Sequence, residues 1–361
     1  MNREGSGLKL LMFVALVCLI SCKQAYSGMM KPVFPGNEWI RMTPEKAGLD
    51  QQILVQIDSL MKKAEANGTL IRNGYLIAEF NYGGSPDKMF EVQSITKSMT
   101  GIVLGLALKE KLISNIDDKV IDYFPRFDVG PYTAEITFRH LITASSGIKS
   151  TITKGRYFDP NNMKPGIESR YHNDHCYQLA LALTYIYEKD LGELIREKVL
   201  APLMIQDTIK WGYHGSVVCA DGKEVPVVAG YAFVRMTARD LARIGWLFAN
   251  NGMWKENQIL SHDYVVESRT PIPIPVMDAN PDAPAGKVSR SKYGLTWRGR
   301  PADDNRILWY MSGNGGQFCV VMPEYNLVMT KINSYEKKPY TDIGEFEKLL
   351  WNLVKENRQT R

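Results

Sequence analysis

The chain has 361 residues, 45% of them hydrophobic, with 44 Lys and Arg against 39 Asp and Glu for a formal net charge of +5. That length and apolar content suffice for one large domain or two ordinary ones with a full core, which excludes disorder as the default. The positive balance is mild and no Lys/Arg-rich run adds to it, so nothing argues for a nucleic-acid partner.

Residues 1–21 read as a lipoprotein signal peptide. Arg3 and Lys9 flank the start of an apolar stretch from Leu10 to Ile20, too short for a permanent bilayer span. It ends in Leu19-Ile20-Ser21-Cys22, which resembles a bacterial lipobox. That resemblance implies an exported chain anchored to a bacterial lipid bilayer through an acylated Cys22, facing the periplasm or the cell exterior. A plain secretory signal cleaved near Ser27 is the alternative. Cys176, Cys219 and Cys319 lie beyond this segment, and three cysteines cannot make a disulfide framework. Residues 22–44 form a Pro- and Gly-containing tether, and 45–361 the folded domain.

Within that domain, Asp50 to Ala66 places Ile53, Leu54, Ile57, Leu60 and Met61 on one face, an amphipathic helix ended by Gly68. Two strands follow, Thr69–Arg72 and Tyr75–Tyr82, joined by Asn73-Gly74, a strong two-residue hairpin signal. From Phe90 to Leu112 the apolar residues Ile95, Met99, Ile102, Val103, Leu106 and Ala107 recur at helical spacing, predicting a buried helix that starts at Ser94. Short helices are expected over Thr137–Ala144, broken by Ser145-Ser146-Gly147, and over Leu194–Leu200, with a longer one over His175–Lys189. Thr237 with Asp240 resembles a capping box for a helix to about Asn250. Pro271 to Gly286 is a Pro-rich loop long enough to wall a pocket. Strands return at Gly294–Arg298, Ile307–Ser312, Gln317–Met322 and Leu327–Ile332, before a last helix over Ile343–Glu356. Strand-rich ends, about 45–95 and 290–361, enclose a mostly helical middle, about 96–289. This suggests an α+β fold with one sheet assembled from both termini.

The chemistry converges on three places. Ser94 and Lys97, three residues apart on a helix, share a face and can hydrogen-bond, and a base within reach is what a Ser hydroxyl needs to become a nucleophile. The spacing alone is weak, because Ser-x-x-Lys occurs seven times in the chain, but only Ser94 opens an apolar helix. Taken alone, the pair is equally an N-cap Ser and a solvated Lys. Tyr171-His172-Asn173 is the single Tyr-x-Asn among eighteen tyrosines. Tyr310-Met311-Ser312-Gly313-Asn314-Gly315-Gly316-Gln317 is a strand running into a Gly cluster, where backbone can approach a ligand closely.

Ser94-x-x-Lys97, Tyr171-x-Asn173 and the Ser312-Gly313 element, in that order, resemble the serine β-lactamase-like superfamily. It comprises class C β-lactamases, D-Ala-D-Ala carboxypeptidases, related esterases and 6-aminohexanoate-dimer-hydrolase-type amidases. The similarity extends through Thr137–Thr143 with Ser145-Ser146-Gly147, Ala201–Met204 and Arg239–Gly245, and covers roughly residues 45–355. It implies an antiparallel sheet flanked by helices, with Ser94 as nucleophile and Lys97 and Tyr171 sharing the base and acid work. Backbone N–H groups of Ser94 and Asn314 would form the oxyanion hole, and Asn173, Ser312 and Gly313 would bind substrate. No cofactor or metal is implied.

The third element departs from the superfamily pattern. A Lys or His usually begins it and faces the substrate carboxylate, whereas here Met311 stands there. This favours an ester or amide of a small molecule or peptide over a β-lactam or D-Ala-D-Ala substrate. A second register, Asn314-Gly315-Gly316, would move the backbone donor to Gln317. A zinc site at His172 and His175, which flank Asp174, is opposed by the absence of His-Glu-x-x-His, by only five histidines in the chain and by the place of His172 inside the Tyr-x-Asn loop. A lipid-anchored binding protein without turnover is the rival from another class.

Overall fold

The computed structural model describes residues 32–152, 163–206, 209–278, 286–336 and 341–355. Cys22 and the N-terminal segment lie outside them. Seven antiparallel strands form the central sheet: β1 (Asn67–Arg72), β2 (Tyr75–Asn81), β3 (Lys292–Tyr293), β4 (Arg298–Pro301), β5 (Ile307–Gly313), β6 (Gln317–Met322) and β7 (Leu327–Ile332), in the order β2-β1-β7-β6-β5-β4-β3. The first strand, β1, thus pairs directly with the last, β7, and β2 forms the sheet edge beside it. Thr69 on β1 faces Thr330 on β7, their hydroxyls 2.8 Å apart. The β1–β2 connection is the Asn73-Gly74 turn, where both residues have positive φ, +52° and +84°, the requirement of a type I′ hairpin.

Helices cover both faces. On one side lie α1 (Gln51–Lys63) and the C-terminal α6 (Ile343–Leu353), whose Ile57, Met61, Phe346 and Leu350 pack against Phe318, Val320 and Met329 of the sheet. The Asp50 side chain caps α1 by accepting from the Gln52 N–H at 2.7 Å. On the other side lies α4 (Ala238–Ala249), capped by Thr237. It sits so close to the sheet that a Cβ on Gly245 would stand 2.6 Å from Val328 and 2.7 Å from Cys319.

Beyond α4 stands α2 (Thr96–Lys109), whose residues from Thr96 to Ala107 are all buried. A helix apolar around its whole circumference belongs inside a core. Gly105 lets the ring of Tyr264, on α5 (His262–Ser268), lie across it, since a Cβ there would come within 2.6 Å of that ring. The middle of the chain also carries α3 (Asp174–Tyr187) and a two-stranded hairpin, Tyr213–Val218 with Glu224–Val228. That hairpin has no period-2 alternation of buried and exposed residues in its first strand, which explains why the sequence pattern missed it.

Candidate active site

The buried helix begins at Thr96 rather than Ser94, because Gln93–Ile95 forms a 3-10 turn that leads into it. Gln93 holds a left-handed φ of +52°, a conformation that costs a non-glycine residue energy and has to be maintained by its surroundings. Segment 231–234 supplies that support. Val92 N–H donates to the Val234 carbonyl at 2.9 Å and Val234 N–H to Thr96 Oγ1 at 3.3 Å. Ser94 is therefore gripped on both sides and half-buried at the mouth of α2.

Lys97 is 2% exposed, so its ammonium must be fully hydrogen-bonded to be tolerated there. Its Nζ donates to Ser94 Oγ at 3.0 Å, to Asn173 Oδ1 at 2.8 Å and to the Tyr231 carbonyl at 3.1 Å. Three hydrogens meet three acceptors. The ring of Tyr171 lies 4.9 Å from the same Nζ. The structure thus brings Ser94, Lys97, Tyr171 and Asn173 together, although sequence separates the first pair from the second by more than seventy residues.

A fifth side chain joins them that no sequence motif singled out. Arg298, the first residue of β4, places its guanidinium carbon 4.5 Å from the centre of the Tyr171 ring. Among the described residues it has no carboxylate partner. Burial pushes the Tyr171 phenol up, but the charges of Lys97 and Arg298, with hydrogen bonding to Ser94 and Lys97, outweigh it and hold the phenol below its ordinary range. Tyr293, whose ring meets that of Tyr171 edge-on at 6.1 Å, is pushed well above its ordinary value by burial and by Tyr171 itself. Two neighbouring phenols are thus driven apart in acidity, the pattern that marks acid–base sites.

The loop that carries Tyr171 and Asn173 is fastened from behind. His175 Nε2–H donates to the Arg170 carbonyl at 2.9 Å; since a carbonyl only accepts, its Nδ1 must accept from Ser146 Oγ, 2.8 Å away. Burial keeps this imidazole neutral. Both nitrogens are occupied, so His175 is not available as a metal ligand. Asp174 accepts from Ser150 Oγ and from the N–H and Oγ1 of Thr151 at 2.7–2.9 Å.

On the far side, β5 runs past the end of β4, which pairs with it only from Ile307 to Tyr310. From Met311 to Gly313 the β5 edge therefore has no β4 partner. Met311 itself is fully buried in the core. Gly313 lies against the backbone just before Ser94: a Cβ there would stand 2.4 Å from the Val92 carbonyl oxygen. This contact fits the Met311-Ser312-Gly313 register. Asn314 is exposed at the start of the turn, whereas Gln317 is buried and opens β6, its Nε2 clasping the carbonyls of Glu91 at 2.9 Å and Asn314 at 3.1 Å. Gln317 is thus a clamp between the two chemistry-bearing segments. Pro271–Ile274 do wall a cavity, of about 310 Å³, with His140, Thr143 and Leu295, but none of the catalytic candidates lines it.

A family model described as Beta-lactamase matches residues 68–340. Among solved structures, the "Putative 6-aminohexanoate-dimer hydrolase from Bacillus anthracis" is 17% identical with a TM-score of 0.61, covering 82% of this chain and 80% of that one. An octameric penicillin-binding protein homologue from Pyrococcus abyssi is 17% identical at TM-score 0.61, covering 84% and 77%. A mutant class C β-lactamase is 14% identical at TM-score 0.58, covering 84% and 97%. A search of curated proteins found no match.

Proposed function

The chain belongs to the β-lactamase family, and from that premise we propose that it is a serine hydrolase that cleaves an ester or amide of a small molecule or peptide through an acyl-enzyme on Ser94. The observation that carries this reading is Lys97, whose buried ammonium binds Ser94 Oγ and Asn173 Oδ1 at once beneath the Tyr171 ring. Because each of its hydrogens already faces an acceptor, Lys97 acts as the fixed cation and Tyr171, as phenolate, takes the Ser94 proton. The freed Oγ attacks the substrate carbonyl, and the oxyanion that forms is received by the N–H groups of Ser94 and Asn314. On collapse Tyr171 returns the proton to the leaving group. Water then repeats the sequence on the acyl-enzyme.

A fluorophosphonate probe tests this. It labels the wild-type chain at Ser94 and leaves Ser94→Ala unlabelled; equal labelling of both would refute the assignment. Arg298 favours a second reading, in which the substrate carries a carboxylate as β-lactams and D-Ala-D-Ala peptides do. Comparing turnover of p-nitrophenyl esters, short amides and a chromogenic cephalosporin separates the two. Acylation of Cys22, with export and anchoring, belongs to the same proposal, and metabolic labelling with an alkynyl fatty acid, lost in Cys22→Ser, would check it.

A further inference from the structure

One buried cation takes no part in the constellation around Ser94. Lys331, on β7, is 0% exposed, yet no salt bridge ties it to a carboxylate among the described residues. Its Nζ instead donates to the Gly316 carbonyl at 2.8 Å and to Asn333 Oδ1 at 3.3 Å. Gly316 closes the three-residue turn, Asn314-Gly315-Gly316, between β5 and β6. The turn is squeezed from outside as well. A Cβ on Gly315 would come within 2.7 Å of the Tyr335 backbone, and one on Gly316 within 2.4 Å of the Thr341 carbonyl oxygen. Gly315 and Gly316 have positive φ, +82° and +73°. A turn so confined has one position, and the ammonium beneath it fixes where its carbonyl points.

We propose that Lys331 is a positioning residue whose buried ammonium, through the Gly316 carbonyl, holds the turn so that the Asn314 N–H faces the oxyanion formed at Ser94. The inference rests on the acyl-transfer reading above. The bond is charge-assisted, so it weakens when the proton leaves. Burial pushes the Lys331 ammonium down to about 8. Asp342 and Glu345, at the start of α6, oppose that fall, and Glu345 is itself paired with Lys63 of α1 at 3.1 Å. Gly316, Asn333, Phe318 and Gly68, which also face Lys331, carry no charge. Turnover therefore declines as pH rises through the titration of Lys331.

The test uses the full chain and p-nitrophenyl acetate. Lys331→Met lowers kcat by about 10- to 100-fold, less than the loss of a whole oxyanion donor, leaves KM within about twofold, and abolishes the alkaline limb seen in wild type. Circular dichroism shows whether this variant folds. If it does not, Asn333→Leu decides, because it keeps Lys331 but removes one acceptor of its ammonium, and so moves the alkaline limb to lower pH. An unchanged kcat and limb in a folded Lys331→Met, or an unmoved limb in Asn333→Leu, overturns the role of Lys331. Failure of fluorophosphonate to label wild-type Ser94 would instead remove the acyl-transfer reading beneath it.

Discussion

The Tyr171 phenol is held below its ordinary range by two cations, Lys97 from α2 and Arg298 from β4. Each stabilises the phenolate, so each lowers the pH at which the base form appears. Replacing Arg298 with Gln removes one of them. The phenol then shifts back upward, the acid limb of the kcat/KM profile moves to higher pH, and the rate below that limb falls about tenfold for each pH unit moved. An acid limb that stays in place would show that Arg298 acts on substrate alone. Ser94 and Lys97 were legible because theirs is the one Ser-x-x-Lys of seven that opens an apolar helix, and Tyr171 with Asn173 because their pairing is rare in the chain. Arg298 was not, since nothing in Thr-Trp-Arg-Gly-Arg distinguishes it until β4 is paired with β5. Met311 is buried in the core, and the nearest strand, β4, brings Arg298 to the Tyr171 ring.

Among the elements, the β5–β6 hairpin and the start of α2 must meet within hydrogen-bonding distance for the site to exist. Gly313 and Gln317 make that junction, one by having no side chain and the other by bridging two carbonyls. Gly313→Ala forces its new methyl against the Val92 carbonyl oxygen, which displaces the hairpin from Ser94. A misplacement of about 1 Å lowers kcat roughly 100-fold, and steady-state kinetics with an ester substrate measures it. KM changes less, because the reacting atoms move more than the rest of the pocket. Here the sequence was informative about type and less so about limits. Asn73-Gly74 predicted its hairpin because a type I′ turn needs two positive φ angles and Asn and Gly are the residues that tolerate them. The start of α2 fell two residues late, since helical periodicity cannot distinguish a 3-10 turn from the helix it leads into.

At the scale of the molecule, the sheet separates two cores. The one against α1 and α6 is remote from Ser94, and the one against α4 and α2 carries the site. Phe346 on α6, fully buried and edge-on to Phe318 at 5.1 Å, belongs to the first. Phe346→Ala costs about 3–5 kcal/mol, read as a lower denaturation midpoint. The kcat of the folded fraction, normalised by active-site labelling, stays at the wild-type value. That division follows from alternate residues of each strand pointing to opposite faces, Phe318 and Val320 into one core and Cys319 and Val321 into the other. But β6 and β7 are buried throughout, so hydrophobic patterning does not record it. The strand order does not follow from patterning either, because nothing in β1 names β7 as its neighbour. The β1–β7 pairing also sets a timetable for synthesis. Thr69 and its partner Thr330 are 261 residues apart. A nascent chain therefore holds β1 with a bare edge until β7 has been made, and the costly closure of that long loop waits for it. Until then the exposed edge can pair with another chain, so the time between the emergence of the first hairpin and the last strand is when this protein most needs a chaperone.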